Sequence, residues 1–206
     1  MRVDPDTSFE TDLWNSGLQH IAGLDEAGRG ALAGPVAVGA VILPNDKMLL
    51  SSTLSGARDS KQMTPLERDS LVPKIRASAL AWAVGFATAE EIDMQGIVRA
   101  TRLAALRALH QFTITPQYLL TDFRLELPQL EIPQTSLIKG DARCLSIACA
   151  SILAKTERDA LMCELDSQYP DYGLAKHKGY GTQAHRSAMM RLGLSPIHRR
   201  SFKLKQ

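Results

Sequence analysis

Two adjacent carboxylates, Asp25 and Glu26, stand directly before a glycine-rich turn in the stretch GLDEAGRGALAGPV, where a single arginine, Arg29, lies between Gly28 and Gly30. Two more acidic residues, Asp122 and Asp141, follow the short apolar runs YLLT and TSLI. In an open α/β sheet, functional side chains gather at the carboxyl ends of strands, so residues this far apart in sequence can meet at one point. Four negative charges within a few ångströms repel and raise one another's pKa values unless cations sit among them. A cluster of this kind therefore needs metal. All-oxygen ligands suit Mg²⁺ or Mn²⁺, and the 5 histidines show no HxxxH spacing that would favour zinc. Two such ions can activate a water and stabilise a leaving oxygen in phosphodiester cleavage, which points to a nuclease or a phosphatase. Each carboxylate alone has a plainer use: Asp141 as a helix N-cap, Asp122 as a turn former, Glu26 as a surface charge. The glycines do not make a dinucleotide fingerprint, because VAVGAVIL reads as a strand where a helix should begin.

The elements that must position these groups can be read from periodicity. HIAGLD at 20–25 and VAVGAVIL at 36–43 read as strands, and a third falls within 80–87. The segment 64–79 opens TPLE, with Thr64 as N-cap, Pro65 at the first helical position and Glu67 closing a capping box. A second amphipathic helix is expected over 92–110, then strands at 118–121 and 135–138, then a long helix from Ala142. Three early strands suggest an antiparallel meander, and strands reached through helices suggest parallel additions to the same sheet. The expected fold is a mixed α/β sheet. Composition shifts after Tyr169 and Pro170, so the division expected is a catalytic domain over 1–170 and a small basic helical appendage over 171–206.

A chain of 206 residues with 45% hydrophobic and 22% charged residues is an ordinary globular composition. No apolar run approaches the roughly 20 residues needed to cross a bilayer, and the acidic N-terminus does not resemble a signal peptide, so a cytoplasmic protein is expected. Cys144, Cys149 and Cys163 form no CxxC pair and are read as buried core thiols. The net charge of +2 conceals an asymmetry: eight of the 24 Lys and Arg, and no Asp or Glu, lie between Lys176 and Gln206, leaving 16 basic against 22 acidic residues before them. Such a basic end attracts polyanions by releasing their counterions.

Taken together, these segments resemble the type 2 ribonuclease H family, specifically ribonuclease HII. The resemblance rests on GLDEAGRGALAGPV, DSK at 59–61, KGDARCLSIACASILAKTERD at 139–159, YPDYGLAKHKGYGT at 169–182 and HRRSF at 198–202. It implies an RNase H-like fold, a five-stranded mixed sheet flanked by helices. It also implies divalent-metal-dependent endonucleolytic cleavage of RNA in RNA–DNA hybrids and at ribonucleotides embedded in duplex DNA, leaving 3′-hydroxyl and 5′-phosphate ends. The family's metal-binding carboxylates fall on Asp25, Glu26, Asp122 and Asp141. Its ribose-reading turn falls on Gly28, Arg29 and Gly30, and its substrate-reading tyrosine on Tyr180. Ser60 and Lys61 would contact backbone phosphate, with Lys178, Arg199 and Arg200 extending the grip, and a monomer is expected. Phe123 stands where the family usually has glycine, so the turn after Asp122 must differ. Two other readings compete. Ribonuclease HIII, the sister type, carries an extra N-terminal domain and lacks the GRG turn. A nucleic-acid-binding module without catalysis would use only the basic end.

Overall fold

The structure, a computed structural model, describes residues 4–123 and 125–202. Lys203 and Lys205 of the basic end lie outside the described residues. In chain order the elements are α1 (Ser8–Asn15), β1 (Ile21–Ala27), β2 (Val36–Ile42), α2 (Lys47–Thr53), α3 (Pro65–Ser78), β3 (Ala81–Ala87), α4 (Ala89–Gln95), α5 (Ile97–Leu109), β4 (Tyr118–Asp122), β5 (Gln134–Leu137), α6 (Leu145–Gln168), α7 (Leu174–His177) and α8 (Gln183–Leu192). The strands form one five-stranded sheet in the order β3-β2-β1-β4-β5. β1, β2 and β3 pair antiparallel, whereas β4 joins β1, and β5 joins β4, in parallel. The mixed sheet is the expected one, although β2 and β3 are antiparallel across a connection that holds α2 and α3 rather than a short turn.

Alternation along the strands divides the core in two. Ile21 and Val41 face α6 and α3, in a cluster with Ile75, Ile147, Ile152 and Leu153. Ala22, Leu24, Val38, Ala40 and Ile42 face the opposite side, against Ala100, Ala104 and Ala108 of α5. α6, 24 residues and roughly 36 Å long, lies unusually close to the sheet. A methyl group on Gly23 would overlap Ser146, and one on Gly39 would overlap the Ala150 carbonyl. Glycine on the strands opposite serine and alanine on the helix is what lets the two backbones approach.

Local expectations fared unevenly. The Thr64 capping box is present, with Thr64 Oγ1 accepting from Glu67 N–H and Glu67 Oε2 accepting from Thr64 N–H at 2.7 Å. The single helix expected over 92–110 is instead two, broken at Gly96, whose φ of 82° closes α4 and whose carbonyl begins α5. The long helix does not begin at Ala142. Residues Gly140–Ala142 form a 3₁₀ turn and α6 starts at Leu145 with Cys144 at its N-cap. Asp141 therefore does not cap it. Glu10 of α1, buried and far away in sequence, accepts from Ser146 N–H at 2.8 Å and supplies the negative charge that the helix N-terminus favours. Cys144 and Cys149 are buried as expected, but Cys163 is exposed on the outer face of α6.

Candidate active site

The carboxylates converge because the sheet makes them neighbours. Leu24 pairs with Thr121 in parallel register, which sets Asp25 and Asp122 side by side at the carboxyl ends of the two central strands. Asp25 points to the α6 side and is buried; its Oδ1 accepts the Glu26 N–H at 2.7 Å. Glu26, on the other side of the strand, lies 3.5 Å from the Arg29 guanidinium. Asp122 Oδ1 accepts the Gly140 N–H at 2.7 Å, which ties the end of β4 to the turn carrying Asp141. Phe123, after Asp122, is about half exposed, so the departure from glycine leaves the aspartate at the strand end.

Electrostatics mark the cluster as one unit. Burial pushes the Asp25 carboxyl well up, and the charges of Glu26 and Asp122 push it further, against the Ser151 hydroxyl and Lys61. Burial also raises Glu26, which Arg29 and Lys61 pull back. Asp141 is pushed up to about 6 by burial and by Asp59 and Asp122, with Lys61 opposing. Lys61 feels the reverse: burial works against its ammonium, but Asp25, Asp59, Asp141 and Glu26 outweigh it and raise its pKa. Among the described residues no donor reaches Oδ2 of Asp25 or Oε2 of Glu26, both buried. Buried carboxylate oxygens without donors are costly unless a cation meets them, and their hard-oxygen chemistry suits Mg²⁺ or Mn²⁺. The residues fit a divalent ion in that sense, although no three acidic, histidine or cysteine side chains among the described residues stand close enough together to form a finished cage.

Beside the carboxylates opens a cavity of about 460 Å³. Glu26, the Gly28–Gly30 turn and Arg29 line one part of it, and Ser60, Lys61 and Tyr180 line the rest. Lys61 also lines a second cavity, of about 390 Å³, with Asp59, Asp122 and Asp141, so the two adjoin at this residue. Gly28 has φ 82°, and a side chain there would overlap the Arg158 guanidinium beneath. Ser60 is buried, its hydroxyl 2.8 Å from that of Ser151, so it anchors the turn that presents Lys61.

Two basic residues expected at the substrate lie elsewhere. Arg199 is 3% exposed, and its guanidinium donates to the carbonyls of Gly34 at 3.0 Å and Arg29 at 2.9 Å. It braces the turn from behind, where no phosphate can reach it. Lys178 turns its ammonium to Cys163 Sγ and the Ala175 carbonyl, and lines a neighbouring cavity with Arg68 and Asp159 rather than that of the glycine turn and Tyr180. Arg200 is exposed, and its backbone N–H, with that of Ser201, is held by Asp93.

Other residues at the site were not singled out from sequence. Lys155 and Arg68 line the cavity with Tyr180, and both pair with Asp159, Lys155 at 2.7 Å and Arg68 at 3.5 Å. Asp59 joins the acidic group through Asp141. The signal was available on α6, where Ser151, Lys155 and Arg158 recur at helical spacing as one polar line beside the buried run of residues 145–154.

An acidic cluster at the ends of central strands, a glycine turn and a cation-lined cavity on a five-stranded mixed sheet define an RNase H-like nuclease. Solved structures share this fold. Ribonuclease H2 from Pyrococcus horikoshii OT3 is 26% identical with a TM-score of 0.72, over 89% of this chain and 94% of that one. The ribonuclease HII of Archaeoglobus fulgidus, solved with PCNA, is 25% identical with a TM-score of 0.75, over 91% and 96%. The ribonuclease HII family profile matches residues 22–205. Ribonuclease HII of Dehalococcoides mccartyi (strain ATCC BAA-2266 / KCTC 15142 / 195) is 50% identical over 97% of this chain and 93% of its own length, and that of Desulfitobacterium hafniense (strain Y51) is 52% identical over 98% and 75%. The chain belongs to the ribonuclease HII family: it is a type 2 ribonuclease H, a divalent-metal-dependent endoribonuclease of RNA–DNA hybrids.

Proposed function

We propose that, besides the RNA of hybrids, the enzyme cuts duplex DNA at single embedded ribonucleotides, leaving 3′-hydroxyl and 5′-phosphate ends. Asp25, Glu26, Asp122 and Asp141 hold Mg²⁺ or Mn²⁺, which when bound supplies an activated water and stabilises the leaving oxygen. The observation that carries this reading is the pair of buried, donorless oxygens on Asp25 and Glu26, beside a turn whose glycines admit a sugar. The backbone of Gly28, Arg29 and Gly30 contacts the ribose 2′-hydroxyl, the group that separates RNA from DNA. Tyr180 offers its ring to a base or sugar from the same cavity, and Lys61 meets a phosphate beside the carboxylates.

Residues 1–170 carry the chemistry. The segment 171–206 adds Tyr180 and a basic surface, with Lys176, Arg186, Arg191 and Arg200 exposed. The enzyme acts as a monomer in the cytoplasm, a setting that suits three free cysteines. Duplex DNA with one ribonucleotide, incubated with Mg²⁺, with Mn²⁺ and with chelator, tests the reading. Cleavage at the ribonucleotide with either ion and none with chelator is expected; equal cleavage of an all-DNA duplex would overturn it. Tyr180→Ala should lower kcat/KM on that substrate at least about tenfold, and a wild-type rate would remove Tyr180 from the site.

A further inference from the structure

Beneath the Gly28–Gly30 turn lies Arg158 of α6, a charged side chain with no exposure to solvent. Its guanidinium reaches two segments of chain at once. Nε donates to the Pro35 carbonyl at 2.8 Å and Nη2 to the Ala33 carbonyl at 3.2 Å, both in the loop between β1 and β2. Nη1 donates to the Lys178 carbonyl at 2.9 Å, two residues before Tyr180, and the guanidinium carbon lies 5.5 Å from the centre of the Tyr180 ring. The same two segments bond directly, Leu32 N–H and Ala33 N–H both donating to the Gly179 carbonyl at 2.8 and 3.3 Å. None of these bonds uses the amides of Gly28, Arg29 or Gly30, which stay with the cavity. A planar fork of fixed donors can hold three carbonyls on two segments; a lysine, with a compact ammonium on a flexible stem, cannot hold them in one geometry.

We propose that Arg158 is a positioning residue that fixes the Gly28–Gly30 turn against Tyr180, so that backbone and ring engage one nucleotide together. The inference rests on the reading of that turn and of Tyr180 given above. A misplacement of about 1 Å between two such groups can cost a hundredfold in rate, whereas loss of a purely structural bond lowers the folded fraction equally for every substrate.

The test is a double-mutant cycle with Arg158→Lys and Tyr180→Ala, reading kcat/KM on duplex DNA with one ribonucleotide and affinity for the same duplex in all-DNA form. Arg158→Lys in the wild-type background is expected to lose at least about tenfold in kcat/KM, with all-DNA affinity unchanged. In the Tyr180→Ala background the same change should cost less than about twofold, because the partner it positions is gone. A full loss in both backgrounds, or all-DNA affinity falling in step with catalysis, would overturn the inference. If Tyr180→Ala alone is as fast as wild type, the reading of Tyr180 falls and the inference with it; if Tyr180→Ala is slow and Arg158→Lys is not, only the inference falls. Should Arg158→Lys not fold by circular dichroism, Gly179→Ala decides by the same cycle. A methyl there would overlap the Ala33 carbonyl and part the same two segments with Arg158 intact.

Discussion

Two polar regions of this molecule are buried to similar depth and could hardly differ more in how their atoms are satisfied. Around Asp25 and Glu26, like charges face one another and two oxygens lack donors. Around His185 and His198, a chain of bonds leaves no ring nitrogen without a partner. His185 Nδ1 donates to the Tyr180 carbonyl at 3.1 Å, His198 Nε2 donates to His185 Nε2 at 3.1 Å, and His198 Nδ1 accepts from the Ser195 N–H and hydroxyl. This tautomer assignment follows from the partners, since a carbonyl can only accept and an amide can only donate. His177 stacks on His185 with ring centroids 4.2 Å apart. A completed network stabilises one arrangement of the chain, whereas an incomplete one stores binding capacity for something that is not protein. The first region is therefore the one that leaves binding capacity open, as the proposed function requires, and the second is what holds Tyr180 and the C-terminal segment beside it.

Substitution should separate the two. Asp25→Asn should lower cleavage on the order of a thousandfold, the scale of losing several kcal/mol of charge stabilisation at the scissile group, while duplex binding by gel shift is kept. The same variant, melted in chelator at neutral pH, should be no less stable than wild type, because it removes a charge that burial disfavours. A clear drop in its Tm would mean that the acidic cluster is structural after all. His198→Ala should do the opposite, costing about 1–3 kcal/mol of stability by stranding His185 Nε2 and the Ser195 donors, as read by urea denaturation.

Acid sharpens the contrast. Burial, helped by the neighbouring His177 and His198, lowers the His185 pKa to about 4 from an unfolded value near 6.5. The unfolded state therefore takes up the proton first, so this contribution is complete above about pH 6.5 and is lost as the pH falls towards 4. Allowing for solvent screening, about 1–2 kcal/mol should disappear across that window, and His185→Gln should flatten the profile. The smallest effect lies outside both regions. Thr88 caps α4 with a reciprocal Glu91 box, and Thr88→Ala should cost about 1 kcal/mol of stability with the cleavage rate unchanged.

Much of the site was legible before any coordinates. Asp25, Glu26 and Asp122 could be placed at strand ends because short β-branched and apolar runs stop at them, and the Thr64 box could be named because its chemistry is local. Asp141 was legible as a ligand candidate but not in its setting, since an aspartate before a helix looks like a cap whether or not a distant Glu10 has taken that duty. Arg199 misled for a related reason. A basic residue in a basic tail reads as surface, and only the packing of the tail on the β1–β2 loop turns it inward, where burial and the nearby Arg158 lower its pKa to about 9.

What the sequence determined by itself was therefore everything set by nearest neighbours along the chain: strand periodicity, capping boxes, the glycine turn and the identities of the acidic groups. Tertiary structure alone decided which charges face one another, that Asp25 and Asp122 share a register, and that Arg158 joins the turn to the Tyr180 loop. Those facts depend on parallel pairing and helix-on-sheet approach between segments that are not neighbours along the chain, where no local propensity acts.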